Sequence, residues 1–342
     1  MIVDFQAHVF PPAYLDALCR LDSSVSLEEP DPASGMTYLF DRTLGRRINT
    51  VTFAGQDPEI RIAHMDELGV DVQVVSVPPP GADRFAPDAA MELARAANDA
   101  IGRWCHDYPG RFVGLCTLPT SSVPLALDEL ERCVEALEMR GFGCYSNLNG
   151  RPLDDEALLP LYERIARYGV PVYIHPTAPL ATEATDLDIH PTLIFGWAFD
   201  ATVAMTRLVY GRVTERFPEI PFIVADVGGV LAFFAQRAVN IYTGRTEEIR
   251  QRYGLRENPI DLFRRFYVDT ADHPANTLRI ARDFFGAEHL VFGTNYPYGP
   301  EDGRRFVRNS LEAVAALDLA DDERACILGN TAARLLGIKQ PA

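Results

Sequence analysis

Two of the seven histidines, His8 and His175, close short apolar runs, and Gln6, Asp226 and Asn295 stand at the ends of similar runs. Imidazoles exchange protons near neutral pH and can ligate metals, a nearby carboxylate can share a proton with them, and amides hydrogen-bond without charge. Gathered in one place, such a set suits acid–base chemistry, with amide N–H groups polarising a carbonyl. The opening stretch Val3-Asp4-Phe5-Gln6-Ala7-His8 has the spacing to begin that set. In a strand, alternate side chains share a face, so Gln6 and His8 point the same way with Asp4 below them. His64, His106, His190, His273 and His289 fall on helices or loops and are expected to be structural or solvated.

These residues need strands to carry them. After the first run, strands are expected at Val70–Val77, Phe112–Leu118, Gly141–Ser146, Pro171–His175, Pro221–Ala225, Phe266–Thr270 and Leu290–Gly293. Helical patterns such as Pro58–Leu68, Phe85–Tyr108, Trp197–Phe217 and Val230–Arg252 separate them, and a long loop is expected to reach about Phe195. Eight strands alternating with helices predict an α/β fold, specifically a (β/α)8 TIM barrel formed by one domain over 1–342. Residues 13–56 lack a clean period and form a small cap-like insert or hairpin after strand 1. Chemistry in such a barrel sits at the C-terminal ends of strands, which is where all five polar residues fall.

Composition narrows the function. A net charge of −16 argues against nucleic acid or an anionic membrane as partner. No apolar run is long enough to span a bilayer, and the N-terminus lacks a signal-peptide pattern. The six cysteines are scattered without a CxxC pair, as in reduced cytoplasmic proteins. Lys339, in the C-terminal tail, is the only lysine, so Schiff-base chemistry has no candidate.

The strand-end motifs together resemble those of the amidohydrolase superfamily. The likeness is to the branch that contains aminocarboxymuconate-semialdehyde decarboxylase and the resorcylate and vanillate-type decarboxylases. It is carried by Asp4-x-Gln6-x-His8, His175-Pro176, Asp226-Val227-Gly228-Gly229 and Gly293-Thr294-Asn295-Tyr296-Pro297. Tyr267-Val268-Asp269-Thr270-Ala271 and Leu328-Gly329-Asn330-Thr331-Ala332 add to it. The resemblance implies a TIM barrel and one divalent metal, held by the strand-1 pair, the strand-5 His and a strand-8 Asp, with a strand-6 His as acid/base. Here Gln6, Asn295 and Asp226 occupy three of those five positions. Neutral amides are poor ligands for a divalent cation, so no tightly bound cofactor is expected. The alternative is a weak Zn or Mn site built from His8, His175 and Asp226.

The expected activity is that of a decarboxylase-like lyase on a small acidic substrate, aromatic or polyketide-derived, with hydration/dehydration or C–C cleavage as further possibilities. Asp226 and His175 are the expected acid/base pair, His8 a second proton donor, and Gln6 and Asn295 the donors to substrate oxygen. By resemblance, Arg237 reaches a neighbouring protomer's pocket and binds a carboxylate, which implies a homodimer. Arg47 (or Arg46) in the insert is a second carboxylate ligand, and Trp197 and Tyr296 complete the binding set. The changed ligands suggest secondary metabolism. The rival readings are a metal-dependent hydrolase using His8, His175 and Asp226, and a non-catalytic ligand-binding relative.

Overall fold

The computed structural model describes residues 1–31, 36–43, 45–177 and 195–339. Eight parallel strands carry the fold: β1 (Val3–His8), β2 (Val72–Ser76), β3 (Phe112–Gly114), β4 (Phe142–Tyr145), β5 (Val172–His175), β6 (Phe222–Val224), β7 (Tyr267–Asp269) and β8 (Leu290–Val291). Ladders join β1-β2-β3 and, separately, β8-β7-β6-β5-β4. The two arcs close on each other. The Cys116 N–H donates to the Gly141 carbonyl (2.8 Å) beside β4, and the Phe5 and His8 N–H groups donate to Phe292 and Tyr296 carbonyls (both 2.7 Å) beside β8. The result is the expected (β/α)8 barrel.

Inside the ring, Val3, Phe5, Val72, Val74, Leu115, Tyr173, Ile223 and Val291 pack into one apolar plug. Most remaining core side chains lie between the strands and the surrounding helices. The strands are shorter than their apolar runs because the chain leaves the ladder early, just where it delivers polar residues. Gly293 marks one such exit: a Cβ there would meet Asp269 Cβ at 3.0 Å and Gln6 Cβ at 3.1 Å.

β1 departs from strict alternation. Its register against β2 shifts between Asp4 and Ala7. Val3 and Phe5 face the barrel interior, yet so do Gln6 and His8, while Asp4 turns outward to accept from Gln73 Nε2 (3.1 Å) and Thr294 Oγ1 (2.6 Å). Asp4 is therefore not below Gln6 and His8; a bulge has exchanged the faces.

The helices used below are α1 (Pro12–Leu21), α2 (Pro58–Leu68), α3 (Trp197–Tyr210) and α4 (Leu231–Thr243). The insert is more than a hairpin: α1 precedes an antiparallel sheet of Val25–Leu27, Thr37–Asp41 and Arg46–Val51. The expected helix Val230–Arg252 breaks after Thr243 and resumes at Glu247, and Trp197–Phe217 breaks at Gly211. The long loop before Phe195, and His190 within it, fall at 178–194, outside the described residues.

Candidate active site

The bulge in β1 sends Gln6 and His8 into the mouth of the barrel, where each is only 1% exposed. His175 ends β5, and its ring meets that of His8 edge-on, centroids 4.8 Å apart. The His175 Nδ1–H donates to the Pro176 carbonyl (2.6 Å), which fixes the tautomer and leaves Nε2 a bare acceptor. Burial pushes the His175 pKa down to about 4. His8 donates from Nε2 to Asn295 Oδ1 (3.1 Å), since a carbonyl oxygen can only accept. Burial, and then the positive charge that His175 and Arg61 can carry, hold His8 well below the usual histidine range. Both imidazoles are neutral at pH 7.

Asp226 arrives by a strained turn. Four successive residues after β6, Asp226 to Gly229, have φ of +55°, +53°, +70° and +65°. Val227 is β-branched and Asp226 bears a side chain, so this left-handed run is unfavourable by itself. Its surroundings over-determine it. The Asp226 N–H donates to Asp269 Oδ1 (2.9 Å), and the Tyr173 hydroxyl holds the other Asp269 oxygen (2.9 Å). The Val230 N–H donates to Thr202 Oγ1 on α3 (2.9 Å). Gly229 lies so close to α3 that a Cβ would sit 2.0 Å from the Ala198 carbonyl oxygen. The paired glycines are thus a condition for docking β6 against α3. Burial lifts the Asp226 pKa to about 7, the Asp272 charge adds to the rise, and a hydrogen bond from Gln6 opposes it. Asn295 also has a left-handed backbone, φ +61°, a conformation that asparagine tolerates.

The five strand-end residues converge: His8 is hydrogen-bonded to Asn295 and edge-on to His175, and the Gln6 amide acts on the Asp226 carboxyl, opposing the rise of its pKa. Two buried acceptors, Gln6 Oε1 and His8 Nδ1, remain without a protein partner. One expectation is qualified: the Gln6 amide acts on Asp226, opposing the rise of its pKa, so it is not reserved for a substrate oxygen. Trp197 stands at the start of α3 with its ring packed against that of His175, centroids 6.1 Å apart.

Two further expectations need correction. Tyr296 does not face the site. It is 1% exposed, its hydroxyl is hydrogen-bonded to His64 Nδ1 (2.7 Å), and its ring lies under the Arg61 guanidinium. Tyr298 takes its place, 5.4 Å from the His8 ring, with its hydroxyl donating to Asn49 Oδ1 of the insert (2.7 Å). Arg47 is exposed, pairs with Glu28 (2.7 Å) and stacks over Tyr38, so within this chain it belongs to the insert's own surface. Arg237 lies exposed on α4, and no ion pair holds it among the described residues.

Three residues went unnoticed in the sequence. Arg61 is fully buried and donates to the carbonyls of Ala54 (3.0 Å) and His8 and to Gln73 Oε1 (2.9 Å), fixing the end of β1 from behind. Its signal was present: Arg61 and Met65 share the i,i+4 spacing of a buried helical face. Asn49 ties the insert to the barrel, donating to the Pro79 carbonyl (2.6 Å) as well as holding Tyr298. Asp269, given no role in the sequence beyond its family motif, accepts from the Asp226 and Ala271 amides and thereby holds Asp226 in place.

The site can be compared with a metal-binding arrangement on its own chemistry. A metal site presents converging acceptors, at least one of them anionic. Here His8 donates to Asn295, Gln6 and Asn295 bring no charge, and among the described residues no three His, Cys, Asp or Glu side chains are grouped to hold an ion. The residues do not fit a resident divalent cation.

Residues 3–338 match the family profile described as Amidohydrolase. Over 283 residues the chain is 28% identical to 2-amino-3-carboxymuconate-6-semialdehyde decarboxylase of Dictyostelium discoideum, covering 82% of this chain and 77% of that protein. It is 30% identical over 259 residues to gamma-resorcylate decarboxylase of a Polaromonas species, covering 71% and 77%. Among solved structures, apo IDCase of Metarhizium anisopliae superposes with a TM-score of 0.86 at 23% identity, covering 100% of this chain and 98% of that one. A Polaromonas dihydroxybenzoic acid decarboxylase with bound manganese and the inhibitor 2-nitroresorcinol gives 0.76 at 22%, covering 99% and 98%. The closed barrel, the strand-end site and the match over nearly the whole length place this chain in the amidohydrolase family, among relatives named as decarboxylases.

Proposed function

We propose that the enzyme decarboxylates a small hydroxylated acid, aromatic or polyketide-derived, with Asp226 as the proton donor. The observation that carries this reading is a carboxyl group with a pKa near 7, lifted into the barrel mouth beside two neutral imidazoles. Protonated Asp226 delivers its proton to the carbon that bears the carboxylate. As the bond to that carboxylate breaks, its electron pair returns to the ring or enol, carbon dioxide leaves, and Asp226 takes up a proton from solvent.

His175 Nε2, His8 Nδ1 and Gln6 Oε1 are bare acceptors, suited to substrate hydroxyls, while Asn295 retains an N–H for a substrate oxygen. Trp197 and Tyr298 supply flat walls for a planar acid.

The carboxylate anchor is Arg237 from a second copy of the chain. Arg237 sits one turn from Phe233 and one turn from Ile241 on α4, and α3, joined to α4 by a hydrogen bond from Tyr210 to the Ala238 carbonyl, bears the exposed Phe199 and Val203. An unpaired guanidinium within an apolar patch is suited to burial against a partner. The homodimer is therefore part of the proposal.

The test is incubation with a panel of hydroxybenzoic and β-keto acids in D2O. Release of carbon dioxide with one deuteron at the vacated carbon is expected. Addition or loss of water without carbon dioxide would instead assign a hydratase.

A further inference from the structure

We propose that this chain does without the divalent cation of its manganese-binding relatives, and that the uncharged side chains Gln6 and Asn295, the latter hydrogen-bonded to His8, are responsible. The inference concerns the same site as the proposed decarboxylation, but it is tested without substrate.

The argument begins with charge. Zn²⁺ and Mn²⁺ sites combine imidazoles with anionic oxygens, and desolvating a dication is offset only by such ligands. Gln6 and Asn295 bring no charge to the two strand-end positions beside the histidines. Asp226, the carboxyl group among the five strand-end residues, is not grouped with two further His, Cys, Asp or Glu side chains so as to hold an ion among the described residues.

The second line is directional. The Nε2 atom of His8 carries its proton toward Asn295 Oδ1 at 3.1 Å, so the imidazole electron pair a cation would need is absent there. His175 keeps one bare nitrogen, but its nearest ring neighbour, His8, is itself committed as a donor. His8–Asn295 joins a donor to an acceptor, and no cation is needed to reconcile that pair.

The third line is support from behind. Arg61, buried and hydrogen-bonded to the His8 carbonyl, puts a permanent positive charge beneath the histidine. That charge repels a dication at His8 and favours the neutral network.

Metal content of the purified wild-type protein, expressed with added Zn²⁺ and Mn²⁺, is the deciding measurement. Less than about 0.1 ion per chain is expected, with no binding on calorimetric titration below about 0.1 mM. The paired substitution Gln6→His with Asn295→Asp restores three imidazoles and a carboxylate, and is expected to raise the content to about one ion per chain. A wild-type protein holding about one ion per chain overturns the proposal. A folded double variant that stays empty overturns the assignment to these two residues. If the double variant fails to fold, the wild-type content and the single Asn295→Asp variant decide. A metal-free protein that decarboxylates nothing would leave this inference standing and remove only the proposed reaction.

Discussion

Asp226 shows how one side chain can carry a reaction class. Its carboxyl is raised to about 7 by burial, so a substantial neutral fraction persists at physiological pH. In the proposed reaction the neutral form is the donor, so kcat is expected to be highest below about pH 7 and to fall as pH rises through it; this is the direction for an acid that must be protonated to act. Asp226→Asn should lower kcat by roughly 10²–10⁴-fold and erase that falling limb, while a non-reacting analogue still binds. Steady-state rates from pH 5 to 9 check this. An unchanged alkaline limb in the variant would move the acid elsewhere.

The two tyrosines of the strand-8 loop make a paired prediction. Tyr298 faces His8 and Tyr296 faces His64. Tyr298→Phe, which frees the Asn49 latch, is expected to raise KM several-fold. Tyr296→Phe should leave KM alone and lower stability by about 1 kcal/mol through one lost buried hydrogen bond. Kinetics together with thermal melts separate the two outcomes.

Among the elements, the junction of β6 with α3 has the least tolerance. Gly69 and Gly229 both have positive φ, +71° and +65°, but nothing lies within 4 Å of a Cβ at Gly69, whereas one at Gly229 would meet the Ala198 oxygen at 2.0 Å. Gly69→Ala is therefore expected to cost about 1 kcal/mol from backbone strain alone. Gly229→Ala adds a backbone clash, and should cost about 3 kcal/mol or more and displace Asp226. Denaturant melts of both variants check the ranking. The insert works at this scale too. Through Asn49 it reaches both the Pro79 carbonyl and Tyr298, so a small sheet far along the chain from β8 sets the wall above His8.

Across the whole molecule, the open question is what covers α3 and α4. Phe233 is 74% exposed, and Phe195, Phe199 and Ile241 are also bare. On the proposed dimer, Phe233→Glu is expected to shift the protein from dimer to monomer in sedimentation and to abolish turnover, because the proposed carboxylate anchor would leave with the partner. Mixing and re-associating the inactive Arg237→Ala and Asp226→Asn proteins should recover roughly a quarter of the wild-type sites, since each mixed dimer assembles one intact site. Recovery near zero would place Arg237 outside the site.

By itself the sequence determined the barrel, the order of its strands and the identity of five polar strand-end residues. Those follow from local signals: apolar runs of strand length, helical periodicity between them, and polar residues where the runs stop. It also carried the family likeness and its departures, because Gln6, Asp226 and Asn295 are visible one residue at a time. Only the tertiary structure decided which of these groups bond to one another and which way neighbouring side chains turn. Asp4 left the site because the bulge in β1 reversed a face that alternation had assigned to it. Tyr296 yielded to Tyr298 because partners from distant elements, His64 and Asn49, fixed their directions. Arg61 became the support of β1 through contacts with residues 54, 73 and 8 that no local pattern relates. The expectation of lost metal ligands came from residue types, but the hydrogen bond that joins His8 to Asn295 in their place is a property of the closed barrel, where the ends of β1 and β8 are brought together.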